Sequence, residues 1–152
     1  MKRASVFSFV LAAVVATSTL VLQAQGPRVV EIEGNDMMKF SLASIAAKPG
    51  EQLTVRLKVV GKMPKMAMAH NFVLLTAAAN AATFANAAVM ASATGYIPAA
   101  RKGEVLASTA LAGGGETVEV TFRAPTAPGT YTFLCSFPGH FAAGMRGTLV
   151  IK

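Results

Sequence analysis

Aliphatic residues occupy every second position from Leu53 through Val55 and Leu57 to Val59, with Thr54, Arg56 and Lys58 between them. The same alternation returns at Val118, Val120 and Phe122 against Thr117, Glu119, Thr121 and Arg123. Successive side chains of a strand point to opposite faces, so this pattern buries one face and wets the other, whereas a helix would scatter the same residues around its surface. Val30 with Ile32, and Phe40 with Leu42, repeat it more weakly on either side of a break at Gly34-Asn35. Further strands are predicted over 70–75, 105–109, 131–135 and 148–151. Lys48-Pro49-Gly50, Gly113-Gly114-Gly115 and Ala127-Pro128-Gly129 fall between strands, where turns belong. The spacing predicts an all-β antiparallel sandwich or Greek-key barrel. One segment departs from it. Residues 76–93 are mostly alanine, without charge, proline or glycine, and predict a short helical flap that packs Phe84 and Ala88 inward, with Ala87, Val89 and Ala91 near that face.

The chain opens Met1-Lys2-Arg3 and then carries no charge from Ala4 to Leu22, ending in Leu22-Gln23-Ala24. Residues 1–24 are expected to be a signal peptide; an uncleaved N-terminal membrane anchor is the alternative, because the apolar run approaches the roughly 17 residues that span a bilayer. Either way the folded part is exported. Residues 28–152 suit a single domain with one core. The leader takes with it two of 14 lysines and arginines, leaving 12 against 7 acidic residues. The basic residues are dispersed and form no run, so nucleic acid is not expected as a partner, only a mild preference for acidic surfaces; no small-molecule substrate is expected either. The one cysteine, Cys135, has no internal disulfide partner, and is free, paired between molecules, or bound to something.

Cys135 lies in Cys135-Ser136-Phe137-Pro138-Gly139-His140-Phe141-Ala142-Ala143-Gly144-Met145, which places a thiol, an imidazole and a thioether within one short segment. Cys135 shares the parity of Tyr131 and Phe133 and faces inward at a strand end; Met145 shares that of Leu149 and Ile151; His140 sits on the loop between. The only other histidine, His70, opens the apolar run His70-Asn71-Phe72-Val73-Leu74-Leu75 after a loop rich in Met and Lys. Singly, a cysteine is a small hydrophobe, a histidine a core or surface group, a methionine core filling. Jointly, two histidines and one cysteine spent at strand ends, with a more distant methionine, form the type 1 (blue) copper ligand set. Zinc also suits such donors, so the identity of the metal is an expectation.

The segments Gly34-Asn35-Asp36-Met37-Met38-Lys39-Phe40, Met68-Ala69-His70-Asn71-Phe72-Val73-Leu74, Cys135 to His140, and Met145-Arg146-Gly147-Thr148-Leu149 resemble the azurin-like plastocyanin/azurin family of cupredoxins in order and spacing. The likeness runs from about Val30 to Lys152. It implies an eight-stranded Greek-key β-barrel with a small helical flap around 76–93. One copper ion is then held equatorially by His70, Cys135 and His140 and axially by Met145. The resemblance also implies that the Ala69 carbonyl approaches from the opposite side, that Asn71 ties the two ligand loops together, and that the Phe137 backbone N–H points at the thiolate. In three places this chain differs from the azurin pattern. Four residues separate His140 from Met145 where azurins have three, a longer form like plastocyanin and auracyanin loops. Ala69 stands where azurins have glycine. The cysteine pair that forms a disulfide in azurins is absent.

The function implied is single-electron transfer by copper between periplasmic redox partners such as a c-type cytochrome or a periplasmic reductase. Docking is expected through an apolar patch drawn from Met38, Met63, Pro64, Ala67, Pro138, Phe141, Ala142 and Ala143, where His140 approaches the surface. The alternative is a copper-binding carrier, suggested by Met63, Met66 and Met68 in the first ligand loop. Catalysis is not expected: no carboxylate lies near Cys135 or His140 in sequence to orient a base, and a multicopper oxidase needs more histidines.

Overall fold

The computed structural model describes residues 26–152; the leader expected over 1–24 lies outside the described residues. Nine strands run in the order β1 (Arg28–Asn35), β2 (Lys39–Phe40), β3 (Ser44–Ala47), β4 (Gln52–Val59), β5 (Val73–Leu75), β6 (Val105–Ser108), β7 (Thr117–Arg123), β8 (Gly129–Leu134) and β9 (Arg146–Ile151). They form two packed sheets, β2-β1-β4-β7 and β3-β9-β8-β5-β6. This is the expected all-β sandwich, and its loops bear the turn residues named above. Two details differ. β1 pairs with β4, and β3 with β9, in parallel, because the chain changes sheets after β2 and returns only at β4. The ninth strand is β3, whose Ser-Ile-Ala-Ala sequence carries little β-propensity and is held by pairing with β9.

The alternating residues form the core. Ile32, Leu53, Val55, Leu57, Phe72, Leu74 and Phe133 are fully enclosed between the sheets, with Leu149 and Ile151 from β9. The outer face of the first sheet is polar: Arg56 on β4 meets Glu31 on β1 at 2.8 Å and Glu119 on β7 at 3.0 Å, its register partners on either side. β5 is buried on both faces. Its other face, Val73 and Leu75, packs with Leu134 against Phe84.

Phe84 comes from a helix narrower than the predicted flap, α1 (Ala81–Ala88), capped by Asn80, whose Oδ1 accepts from the Thr83 N–H at 3.0 Å. Phe84 and Ala88 face inward as expected, while Val89 is exposed. A 3-10 turn at Ser92–Thr94 follows, and another at Ala99–Glu104.

Candidate metal centre

One end of the sandwich gathers the outgoing ends of β1, β4 and β8, the start of β9 and the segment leading into β5. The strand predicted to begin at His70 begins instead at Val73. His70 precedes it in an isolated bridge, donating its N–H to the Ala112 carbonyl and accepting the Ala112 N–H, both at 2.8 Å. Ala112 leads into Gly113-Gly114-Gly115, and glycine is needed there for close approach. A Cβ at Gly114 would lie 2.7 Å from the Gly61 carbonyl oxygen, and one at Gly113 2.7 Å from the Lys65 Cβ. Glu116 fastens the same contact by accepting from the Gly113 N–H and from the Lys65 ammonium, both at 2.9 Å. His70 thus stands on a braced turn.

Cys135 follows the last residue of β8 and is fully buried. Its Sγ lies 3.4 Å from Nδ1 of His140 and 4.0 Å from the Ala69 carbonyl oxygen. The donor atoms of His70, Cys135 and His140 all lie within 4.8 Å of one another. Met145, also fully buried, reaches the same spot: a Cβ at Gly34 would sit 3.1 Å from the Met145 Cε and 3.4 Å from the His70 Cγ. A side chain at Gly34 would press on the end of Met145 and touch His70, so both side chains pack over this point of β1.

Asn71 joins the two loops. Its Oδ1 accepts from the Ser136 N–H and its Nδ2 donates to the Ser136 Oγ, both at 2.9 Å, and Nδ2 reaches the Gly95 carbonyl at 3.4 Å. The backbone N–H groups of Asn71 and Phe137 favour the ionised form of the Cys135 sulfur. Phe137 further packs against His140, with centroids 4.9 Å apart, and against Tyr96 at 5.0 Å.

Burial dominates the electrostatics. It pushes the Cys135 thiol up to about 11, against the pull of the Asn71 and Phe137 N–H groups. It pushes His140 down to about 4, helped by neighbouring His70, and lowers His70 against the opposing carboxylate of Asp36. Without a cation the protein therefore presents a neutral thiol and neutral imidazoles at pH 7. Neither ring nitrogen of His70 finds a hydrogen-bond partner among the described residues. A buried imidazole with both nitrogens orphaned is costly unless a ligand completes it. Two imidazoles, a thiol and a thioether converging in a dry site fit copper, with zinc as the other metal such donors take.

The spacing between His140 and Met145 has a local cause. Residues 138–144 make a helical turn closed by a Schellman motif, in which the Gly144 N–H donates to the Phe141 carbonyl at 3.0 Å and the Met145 N–H to the His140 carbonyl at 2.9 Å. Gly144 takes the positive φ this motif needs, +94°. His140 and Met145 are its two hydrogen-bonded ends, so with four residues between them their backbones stay in direct contact.

Of the residues expected at a docking patch, Met63, Pro64, Ala67 and Ala142 are exposed, and Met38, Pro138 and Ala143 half-buried. Phe141 turns inward instead, packing on the Val73, Leu75, Phe84 and Leu134 cluster with the Arg146 guanidinium 4.7 Å above its ring. His140 is only 2% exposed. Sequence reasoning passed over Gly34, Asp36, Glu116 and Ser136. Gly34, Asp36 and Ser136 lay within the family-like segments and Gly34-Asn35 read as a strand break, but no role was given to any of the four.

Residues 28–152 match the model of the family described as copper binding proteins, plastocyanin/azurin family. The chain is 41% identical over 124 residues to azurin from Achromobacter denitrificans, covering 80% of this chain and 82% of that protein. It is 38% identical over 130 residues to auracyanin-A from Chloroflexus aurantiacus, covering 84% and 76%. The crystal structure of dithionite-reduced auracyanin from the photosynthetic bacterium Roseiflexus castenholzii superposes with a TM-score of 0.73 at 30% identity, covering 84% of this chain and 99% of that one.

Proposed function

Because this chain belongs to the plastocyanin/azurin family of copper-binding proteins, we propose that it is a blue copper electron carrier working between exported redox partners, with His70, Cys135, His140 and Met145 holding the metal. The observation that carries this reading is the convergence of the His70, Cys135 and His140 donor atoms within 4.8 Å of one another, in a buried pocket that also receives Met145. Bound copper supplies a one-electron couple between Cu(I) and Cu(II). The protein keeps the donors in place through that change. His70 is fixed by its bridge to Ala112, Cys135 by the Asn71–Ser136 tie, and Met145 by its N–H bond to His140. Pre-set donors leave little to reorganise, which favours fast transfer. The N–H groups of Asn71 and Phe137 stabilise a thiolate and so tune the potential. The Ala69 carbonyl supplies a further dipole on the thiol's side of the site.

Exchange with partners is assigned to the surface beside His140, where Met63, Pro64, Ala67 and Ala142 are exposed and Met38, Pro138 and Ala143 partly so. A small apolar patch of this kind suits weak, short-lived docking with a c-type cytochrome or a periplasmic reductase. The uncharged stretch from Ala4 to Leu22 supports export to the periplasm.

Titrating Cu(II) into apoprotein tests the assignment. One equivalent should produce an intense visible thiolate-to-copper band and a narrow EPR hyperfine splitting, and a colourless adduct refutes it. Rapid electron self-exchange with slow loss of copper to a chelator separates the electron carrier from a copper-delivering protein, which would show the reverse.

A further inference from the structure

The last carbonyls of a helical turn have no partner within it and are met by water, by a tighter turn or by a side chain from elsewhere. In the loop that ends at Met145, the Schellman bonds use the carbonyls of His140 and Phe141. The carbonyl of Ala143, the residue just before Gly144, is one of the last of the turn and forms part of the negative end of its dipole, where a cation is favoured. Lys39 meets it: its Nζ donates to the Ala143 oxygen, and a Cβ at Gly144 would lie 2.9 Å from the same Nζ.

The exposed Lys39 side chain starts from a built turn whose backbone is tied by hydrogen bonds. Asn35 Oδ1 accepts from the Met37 N–H at 3.1 Å and the Lys39 N–H at 3.2 Å, and the Met38 N–H donates to the Asn35 carbonyl at 2.9 Å. Met38 takes a positive φ of +56°, uncommon for a residue with a side chain. Asp36 anchors the same turn to the first ligand loop by accepting from the Lys62 N–H at 2.9 Å. The turn also extends β1 directly beyond Gly34, the residue against which Met145 and His70 pack.

We propose that Lys39 is a positioning residue: its ammonium caps the Ala143 carbonyl, holds the 138–144 turn closed, and thereby sets where the Met145 thioether stands relative to the other three donors. The cap goes with the four-residue loop, since it binds the carbonyl next to the glycine that closes the Schellman motif. The link to the thioether rests on the copper reading above; the link to the loop does not.

The test compares the full-length protein with Lys39→Met, which keeps length and removes the charged donor, and Lys39→Arg, which keeps one. Without metal, the Gly144 and Met145 amides should exchange with solvent about tenfold faster in Lys39→Met, as expected for loss of one charge-assisted bond. Core amides of Leu57 and Phe133 should be unmoved, and Lys39→Arg should return the loop toward wild type. Loaded with copper, Lys39→Met should show altered EPR rhombicity, the signature of axial ligation, again restored by arginine. Wild-type exchange at Gly144 and Met145 in Lys39→Met, or a uniform rise across the core, overturns the loop cap. An unchanged EPR spectrum overturns the placement of Met145. Failure of the wild type to turn blue overturns the copper reading instead, and leaves the exchange result to decide the cap.

Discussion

Replacing Asn71 with alanine should loosen the tie between the two ligand loops, and the cost follows from the bonds lost. Asn71 is fully buried and makes two 2.9 Å hydrogen bonds to Ser136, one accepting from its N–H and one donating to its Oγ. Alanine leaves the buried Ser136 N–H without its partner, at about 1–3 kcal/mol, and removes the bond to the Ser136 Oγ and a weaker 3.4 Å bond to the part-buried Gly95 carbonyl. Water entering the vacated space offsets part of this, so the net loss should be about 3 kcal/mol. At about 2.1 cal/mol/K per residue, a domain spanning 26–152 has an unfolding entropy near 0.27 kcal/mol/K, which converts that loss to a Tm lower by about 11 °C. The assay is thermal unfolding of apoprotein, so that metal binding does not mask the change. Ser136→Ala keeps the stronger backbone bond and should cost about 1 kcal/mol. The double variant should be less destabilised than the two singles added together, because both remove the same Nδ2–Oγ bond. A drop below about 3 °C for Asn71→Ala, or strict additivity with Ser136→Ala, would refute the tie. Copper should also leave Asn71→Ala for a chelator at least about ten times faster, since only 1.4 kcal/mol of the loss need fall on opening the site.

Gly144→Ala puts a side chain on a φ of +94° and presses it toward Lys39, so it should cost about 1–2 kcal/mol and speed exchange of the Met145 amide; a variant as stable as wild type contradicts the Schellman reading. In apoprotein, His140 binds its proton only near pH 4, whereas an imidazole of the unfolded chain does so near 6.5. The unfolded state therefore takes up the extra proton as pH falls, so this contribution is full above about 6.5 and is lost toward 4, amounting to about 2 kcal/mol between pH 7.5 and 5. Urea midpoints that do not move over that range would count against buried neutral imidazoles. With the Cys135 thiol raised to about 11 and both imidazoles neutral, Cu(II) binding at pH 7.5 should release about one proton per ion, read calorimetrically in buffers of different ionisation enthalpy; no release would remove Cys135 from the ligand set.

What could be read from the sequence, and what could not, divides by the range of the interaction. Alternation is local, so β4 and β7 and the core of Leu53, Val55 and Leu57 were legible at once. β3 was not, because Ser44–Ala47 becomes a strand only by pairing with β9, roughly a hundred residues away in sequence. Scarcity did for the site what periodicity did for the fold: with one cysteine and two histidines, few chemistries remain, and the topology brings all three together. Asn71 and Phe137 were legible through the family resemblance, but the rest of the scaffold was not, for a physical reason. Gly34 matters because two distant side chains meet over it, and Lys39 matters because a carbonyl 104 positions further on lacks a partner. Both fall in the family-like segment from Gly34 to Phe40, yet nothing local in that segment states what either one contacts. The bracing at Glu116 has the same character, since its value lies in closing Gly113 and Lys65 onto each other beneath His70. Donor identity is thus written in residue type, while the geometry that tunes a donor is written in pairs of residues far apart. An error in the predicted function of such a chain should therefore fall on potential and loop placement before it falls on the metal.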